Sequence, residues 1–237
     1  MSDWNIFLEN IKNAEQELGN PPEIWYRGQF ECGWFLEPSL VRITDWENKE
    51  KKLFEEFKRL SIGVFEQRSN EWETLFDMQH YWIPTRLLDW TTVLGVALAF
   101  ILHSDYSNDK DSAIYVLDPV ALNRLSGKYE IINIPENADY GYKKMYWENI
   151  PTKIEKPLAI QPNTLSDRLK AQAGRFTIFG TESGNFENTA SECFRKITLP
   201  ASAKAEARLF LKWANINEFT IYPDMVGIAN HIKTKIL

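Results

Sequence analysis

Residues 79–102, QHYWIPTRLLDWTTVLGVALAFIL, combine a polar first half with an apolar second half. Pro84 disfavours helical geometry at the residue before it, so we expect the first half to form a rigid loop. The second half is apolar on nearly every side, which is typical of a helix in the middle of a domain. We therefore expect a buried helix at about residues 92–102, with Asp89 or Thr91 as its N-cap. Such a helix is far too short to cross a bilayer.

The polar half carries five side chains that can bind a ligand or do chemistry: Gln79, His80, Thr85, Arg86 and Asp89. Charges at the entry to a core must be paired or must face a cleft. One interpretation is a structural Arg86–Asp89 ion pair that locks the loop. The other is a ligand site in which Arg86 anchors an anion, with His80 or Gln79 nearby. The local pattern leaves both open, because structural networks also perturb charged groups.

The overall composition limits the classes of function. The chain has 237 residues, 44% of them hydrophobic, which is ample material for a packed core. A net charge of −6 and a pI near 5.3 argue against broad, non-specific nucleic-acid binding, which needs a basic face. Two cysteines and three histidines, none at ligand spacing, indicate no metal site and no disulfide framework. The N-terminus has no signal-peptide pattern, so we expect a cytoplasmic protein without membrane contact.

Short strands and helices follow one another without strict βαβ alternation. Strands are predicted at residues 23–27, 113–117, 131–134, 158–161, 175–180 and 194–199, and helices include residues 45–67 and 164–173. This order favours the α+β class over a doubly wound sheet. We expect a small mixed or antiparallel twisted sheet packed with several helices around the buried helix at about 92–102. The helical part extends to about residue 110 and the sheet-containing part runs from about residue 111.

Several motifs together resemble one family. Residues 79–91, QHYWIPTRLLDWT, resemble the QHxGxPTRLLDWT signature of the FRG domain, a family of bacterial and phage proteins. Further stretches resemble the family's other motifs in order: WYRGQ at 25–29, LEPSL at 36–40, RLKAQAGRF at 168–176 and FTIYPDMVG at 219–227. Trp82 stands where the family usually has glycine, and its ring can narrow a cleft or fill part of it. The resemblance implies a single FRG-type domain over residues 1–237.

Eight polar or aromatic residues are candidates for ligand binding: Tyr26, Arg27, Gln79, Thr85, Arg86, Trp90, Arg168 and Gln172. The three arginines are well matched to a diphosphate, since each guanidinium presents a planar fork of donors. The rings of Tyr26 and Trp90 can cover a base or a ribose. Arg168 and Gln172 lie four residues apart in the predicted helix, hence on one face of it.

These residues lead to a first hypothesis, that the chain binds a nucleotide such as NAD in an arginine-lined cleft. A [FY]RG strand beside polar residues resembles the entry motif of ADP-ribosyltransferase-like folds. Cleavage of the N-glycosidic bond builds positive charge on the ribose, which the carboxylate of Asp89 or of Glu182 can stabilise. His80 is the candidate acid or base. NAD enters this hypothesis as a substrate, and no resident cofactor or metal is expected.

A second hypothesis is a non-catalytic binding or sensing module. Arg27, Arg86 and Asp89 would then form a buried network, and the cleft would take a protein segment or a nucleotide signal. The family's phage and mobile-element contexts imply, by resemblance, a role in phage–host conflict. Nuclease activity has less support, because no spacing of carboxylates singles out a metal pair. The sequence holds no P-loop, GxGxxG, HExxH or GxSxG motif.

Overall fold

The computed structural model describes residues 1–63, 70–102, 109–134, 141–150, 153–163, 166–182 and 186–236. The fold is α+β, as expected, with one mixed sheet of strand order β4-β5-β6-β2-β1-β3-β7. The strands are β1 Trp25–Gln29, β2 Leu87–Thr91, β3 Ser112–Leu117, β4 Ile132–Ile134, β5 Leu158–Pro162, β6 Gly174–Ile178 and β7 Phe194–Leu199. Neighbouring strands are antiparallel except β4 and β5, which are parallel.

Helices cover both faces of this sheet. Their bounds are α1 Asp3–Glu17, α2 Trp46–Leu60, α3 Glu71–His80, α4 Leu94–Leu102, α5 Pro119–Arg124, α6 Tyr142–Tyr146, α7 Asp167–Ala171, α8 Phe186–Thr189, α9 Lys204–Trp213, α10 Glu218–Ile221 and α11 Met225–Ile236. In β3, Ile114 and Val116 pack with α1, α4 and α9, while Tyr115 and Leu117 belong to a core on the opposite face. This two-residue alternation is what a strand covered on both faces requires.

The buried central helix is confirmed as α4, whose residues are almost all inaccessible to solvent. Gly28 of β1 lies directly beneath it, where an added Cβ would stand 2.2 Å from the carbonyl oxygen of Ala97. Glycine is therefore required at residue 28 for close packing of helix on strand. Of the two proposed caps, Thr91 accepts from the backbone N–H of Val93 at 3.1 Å. Asp89 is not a cap, because it lies in the strand before the helix.

The prediction of a loop just before α4 is wrong at residues 87–91, which form β2. Five residue pairs join β2 to β6, and five join β1 to β3. The only register pair between β1 and β2 among the described residues is Tyr26 with Thr91. The sheet is thus split between its two central strands. Pro84 and Asp89 favoured a loop in this stretch. The partner strand β6 comes far later in the chain, so the local sequence did not indicate the pairing.

Two further boundaries differ from the sequence predictions. The helix expected at 45–67 ends at Leu60 and is followed by Gly63 in the left-handed region at φ 83°, while residues 64–67 lie outside the described part. The division near residue 110 into a helical and a sheet-containing part is also wrong, since β1 and β2 from the first part are central strands of the sheet. Among the described helices, none combines the length and apolar character needed to span a bilayer.

Candidate functional site

Asp89 is the exposed member of an otherwise buried strand. Its neighbours Leu88 and Trp90 point into the core on the opposite face, while about half of the Asp89 side chain is exposed. Gln79, near the end of α3, donates from Nε2 to Asp89 Oδ2 at 2.7 Å. The Oε1 atom of Gln79 in turn accepts from the Thr85 hydroxyl at 2.5 Å. This chain of hydrogen bonds fixes the carboxylate in one orientation.

Arg27 reaches Asp89 from across the split in the sheet. Its Nη1 donates to the backbone carbonyl of Asp89 at 2.6 Å and lies 3.9 Å from Oδ2 of the same residue. The guanidinium thus bonds across strands that are paired only at Tyr26 and Thr91. Burial lowers the pKa of Arg27, and the nearby Arg42 adds to this effect while Asp89 opposes it. The group stays charged, because an arginine pKa starts well above any physiological pH.

Two buried polar atoms of the RGQ motif, residues 27–29, lack a hydrogen-bond partner among the described residues. They are Arg27 Nε and Gln29 Oε1. The Gln29 amide nitrogen donates to the carbonyl of Phe35 at 3.2 Å, so its side chain is held in place. Buried polar atoms are nearly always satisfied by protein, water or a ligand. The motif therefore presents one free donor and one free acceptor, two residues apart on the same strand.

Arg168 on α7 packs against two aromatic rings. Its guanidinium carbon lies 4.6 Å from the ring centroid of Tyr222 and 5.5 Å from that of Trp82. No hydrogen bond joins the Arg168 side chain to any residue in the described ranges. Rings that contact a guanidinium leave its in-plane N–H groups free to bind an anion. Arg168 therefore has the geometry of a preorganised anion-binding group.

Tyr222 contacts Arg168 and feels the charge of Asp89, and Gln79 holds Asp89, so we group Gln79, His80, Asp89, Arg168 and Tyr222 under one name, the Asp89 site. Burial, and then Arg168, lower the pKa of His80, so its imidazole is neutral at pH 7; two carboxylates oppose this shift. Burial raises the pKa of Tyr222, Asp89 adds to the increase, and Arg168 opposes it. Tyr222 thus connects Asp89 with Arg168. The sequence reasoning did not single out Tyr222, although it lies within the quoted stretch 219–227.

Arg86 lies elsewhere, in the core. It forms a buried ion pair with Glu50, with Arg86 Nε donating to Oε1 at 2.7 Å, and its Nη1 donates to the carbonyl of Phe179 at 3.2 Å. The rings of Trp46 and Tyr146 lie 4.9 and 4.8 Å from its guanidinium carbon. The predicted Arg86–Asp89 ion pair is therefore wrong, and so is the convergence of three arginines. The true partner of Arg86 lies 36 residues earlier, where no local pattern indicated it.

The remaining predicted binding residues serve the fold. Trp90 is buried and donates from Nε1 to the Thr177 hydroxyl at 3.0 Å, on the face away from Asp89. The Tyr26 hydroxyl donates to Glu15 on α1. Gln172 donates to the carbonyl of Ile221 at 3.2 Å. Glu182 is exposed, and its backbone N–H donates to the Glu155 carbonyl at 2.9 Å.

Trp82 ends α3 in an unusual conformation. Its N–H donates to the Gln79 carbonyl at 3.2 Å, and the N–H of Ile83 donates to the Met78 carbonyl at 3.0 Å. These two bonds define a Schellman motif, whose left-handed position is normally glycine. Trp82 occupies that position at φ 58°, and three-quarters of its surface is exposed. Its ring contacts Arg168 on one side of the loop.

Two surface grooves lie along α2. The first has a volume of about 450 Å³ and is lined by Leu53, Glu56, Phe57, Leu60, Ser61, Trp82, Ile83 and Pro84. The second, of about 370 Å³, shares three of these residues and adds Ile43, Lys49 and Lys52. No arginine lines either groove, so the expected arginine-lined cleft is not found there. Within the described ranges, no three His, Cys, Asp or Glu side chains are grouped to hold a metal ion.

The fold and site define an α+β protein with a polar site at a split in its sheet. Residues 22–110 match the family model of the FRG domain. The matched stretch includes both the WYRGQ motif and QHYWIPTRLLDWT, which together supply Arg27, Gln79 and Asp89. No curated protein and no solved structure was found to match the chain. Arg168 and Tyr222 of the Asp89 site come from beyond the matched stretch.

Proposed function

We propose that the Asp89 site binds an anionic ligand of the nucleotide class, with NAD as the leading candidate. One observation carries this proposal. Arg168 has ring contacts with Trp82 and Tyr222, while its hydrogen-bonding edge meets no described residue. A guanidinium in this state is matched to a phosphate or diphosphate, which accepts two parallel N–H bonds. Arg27, which donates to the Asp89 carbonyl, also has a buried Nε without a hydrogen-bond partner among the described residues.

NAD cleavage is the reaction that the site would support. The C1′–N bond of the nicotinamide riboside breaks, its electron pair leaves with nicotinamide, water adds to C1′, and one proton is released. The exposed carboxylate of Asp89 is available to stabilise the positive charge that develops on the ribose. Neutral His80 is available to accept the proton from water. The same carboxylate stabilisation would serve an ADP-ribosyltransferase with another acceptor in place of water.

A non-catalytic sensing module is the second candidate. Asp89 is held by Gln79 and approached by Arg27, as in a structural polar network. A site of this kind would bind a nucleotide signal or a protein segment without turnover. A role in phage–host conflict is compatible with either candidate, and we propose it on the family resemblance alone.

Ligand-induced stabilisation tests the binding proposal. We expect pyrophosphate, ADP-ribose and NAD to raise the melting temperature of the wild-type protein, since a ligand that binds only the folded state at 100 times its Kd adds about 2.7 kcal/mol. Arg168→Ala should abolish the increase. Arg124→Ala serves as the matched control, because Arg124 is exposed at the end of α5, away from the Asp89 site. Equal responses in all three proteins, or none in the wild type, would contradict the proposal.

Turnover separates the two candidates. For the enzyme, we expect release of nicotinamide from NAD by the wild type, and its loss in Asp89→Asn with ligand-induced stabilisation retained. Binding of NAD without any release of nicotinamide would favour the sensing module. Pull-down experiments with wild type and Arg168→Ala would then search for a partner that depends on the same site.

A further inference from the structure

Trp82 connects two features that are otherwise separate. It contacts the guanidinium of Arg168, with 5.5 Å between the ring centroid and the guanidinium carbon, and it also lines the groove of about 450 Å³ along α2. Three-quarters of its surface is exposed, so burial does not explain the choice of tryptophan. Its φ of 58° is a conformation that a bulky side chain adopts only at a cost. Backbone strain that surrounding structure maintains is concentrated at ligand-binding positions.

The groove has the size and lining of a small-molecule subsite. Its wall is made by Leu53, Phe57 and Leu60 of α2, opposed by Trp82 and Pro84 of the loop. Ligand sites commonly have volumes of about 300–1,000 Å³ and are mainly apolar, with few polar groups. The second groove shares Leu53, Glu56 and Pro84 with the first, so the two are adjacent.

Cations lie beside both grooves, and Glu56, which lines both, is paired with Arg59. Arg168 lies next to Trp82 of the first groove, while Lys49 and Lys52 line the second. These residues suit a ligand that places an anionic group at Arg168 and a flat apolar ring system against Trp82. Hydrogen-bond acceptors on the far edge of that ring system would meet the two lysines. A nucleoside phosphate has these parts in this sequence.

We propose that the groove along α2 is the base-binding subsite of the protein, with Trp82 as the aromatic platform for the base. The inference rests on the proposed binding of a nucleotide-class anion at Arg168, and it adds where the base of that ligand lies. Stacking on an aromatic side chain tolerates different bases, because every base has a π-face. Trp82 is thus a specificity-determining residue that distinguishes a nucleotide from a simple phosphate.

Calorimetric titration with three ligands tests this subsite: pyrophosphate, ribose 5-phosphate and AMP. All three carry the anionic group, but only AMP carries a base. For the wild-type protein we expect AMP to bind at least tenfold more tightly than ribose 5-phosphate. AMP should also quench tryptophan fluorescence, whereas ribose 5-phosphate should not.

Two variants test whether the preference for AMP over ribose 5-phosphate arises in the groove. Trp82→Gly removes the platform, and its melting temperature should not fall, because glycine adopts a positive φ without strain. Leu60→Glu puts a negative charge into the groove at a side chain that is already 60% exposed. Both variants should bind AMP and ribose 5-phosphate equally. Trp213→Ala is the matched control, since Trp213 is 77% exposed on α9 and does not line the groove.

The outcomes separate this inference from the proposed function. Equal affinity of the wild type for AMP and ribose 5-phosphate, with binding still abolished by Arg168→Ala, would overturn the base subsite and leave the anion site standing. An AMP preference that survives in both Trp82→Gly and Leu60→Glu would also overturn it. Failure of all three ligands to bind the wild type would overturn the anion site itself.

Discussion

Arg86 shows at the scale of a single residue how burial decides the role of a charge. The Arg86 and Glu50 side chains are 3% and 2% exposed, and Glu50 also accepts from the Tyr142 hydroxyl at 2.5 Å and from Trp147 Nε1 at 3.1 Å. Burial raises the pKa of Tyr142, so its hydroxyl remains a donor. A buried pair with this many hydrogen bonds fixes the packing of α2 against the sheet and α6. It contributes to the stability of the fold.

Removing one partner of this pair leaves an uncompensated buried charge. We expect Arg86→Ala to lower the free energy of unfolding by about 3–5 kcal/mol in urea titrations. Arg59→Ala is the control, since Arg59 pairs with Glu56 on the surface of α2 and its loss should leave stability nearly unchanged. Similar losses in the two variants would contradict the structural role of Arg86.

His80 gives a prediction about pH. Burial and Arg168 lower its pKa in the folded protein, while Asp77 and Asp224 oppose them. The unfolded chain therefore binds a proton at higher pH than the folded chain does. Neutral His80 contributes its full stability above the unfolded pKa of about 6.5, and this contribution is lost as the pH falls from that value through the lower pKa of the folded protein.

Comparison with a variant isolates this effect from other titrating groups. Between pH 7.5 and pH 5, wild type should lose more free energy of unfolding than His80→Gln does. Parallel losses in the two proteins would show that His80 titrates alike in the folded and unfolded states. Denaturant titrations at several pH values provide the measurement.

At the scale of elements, β1 and α4 pack closely against each other. Gly28 has ordinary negative φ, so its role is space: an added Cβ would meet the Ala97 carbonyl oxygen at 2.2 Å and Ile101 Cγ1 at 2.8 Å. We expect Gly28→Ala to destabilise the protein by about 2 kcal/mol or more, as overpacking does. Gly33→Ala is the matched control, because nothing lies within 4 Å of its added Cβ. Chemical denaturation of both variants tests this, and equal stability would refute close packing at Gly28.

The split between β1 and β2 places functional groups at the centre of the sheet. With Tyr26 and Thr91 as the only register pair between them in the described ranges, the two strands leave room for the Arg27 side chain to reach the Asp89 carbonyl. α3 supplies Gln79 at its end, and its left-handed cap supplies Trp82. A defect in strand pairing and a strained helix end thus meet at one site.

At the scale of the whole molecule, the FRG-matched stretch depends on the rest of the chain. β1 and β2 lie within residues 22–110, but their long pairings are with β3 and β6, which lie beyond it. The apolar side chains of α4 pack in one core with those of α1 and α9, and neither helix is in the matched stretch. The FRG stretch is therefore the centre of a larger folding unit.

A fragment of residues 22–110 should for this reason not fold alone. Its two strands would lose ten of their eleven paired positions, five each with β3 and β6, and keep one between them. We expect narrow amide chemical-shift dispersion and no cooperative thermal transition, with the full chain as the control. A cooperative melt of the fragment would show that the FRG stretch is an autonomous domain.

The sequence by itself determined the features that local pattern specifies. The apolar run predicted α4, the short strands predicted at residues 113–117 and 194–199 correspond to β3 and β7, and the motifs predicted the FRG relationship. They also placed Gln79 and Asp89 together, because both lie in the motif at residues 79–91, although they joined Arg86 to the same site.

The tertiary structure decided which charges meet. It paired Arg86 with Glu50, brought Tyr222 and Trp82 to Arg168, and turned a stretch that looked like a loop into β2. The reason is physical: burial and strand pairing depend on residues far apart in the chain, and a local window contains only one partner of each such contact. The local sequence does not indicate where a polar residue of the motif at 79–91 will lie. Arg86 lies in the core, whereas Asp89 lies at the surface.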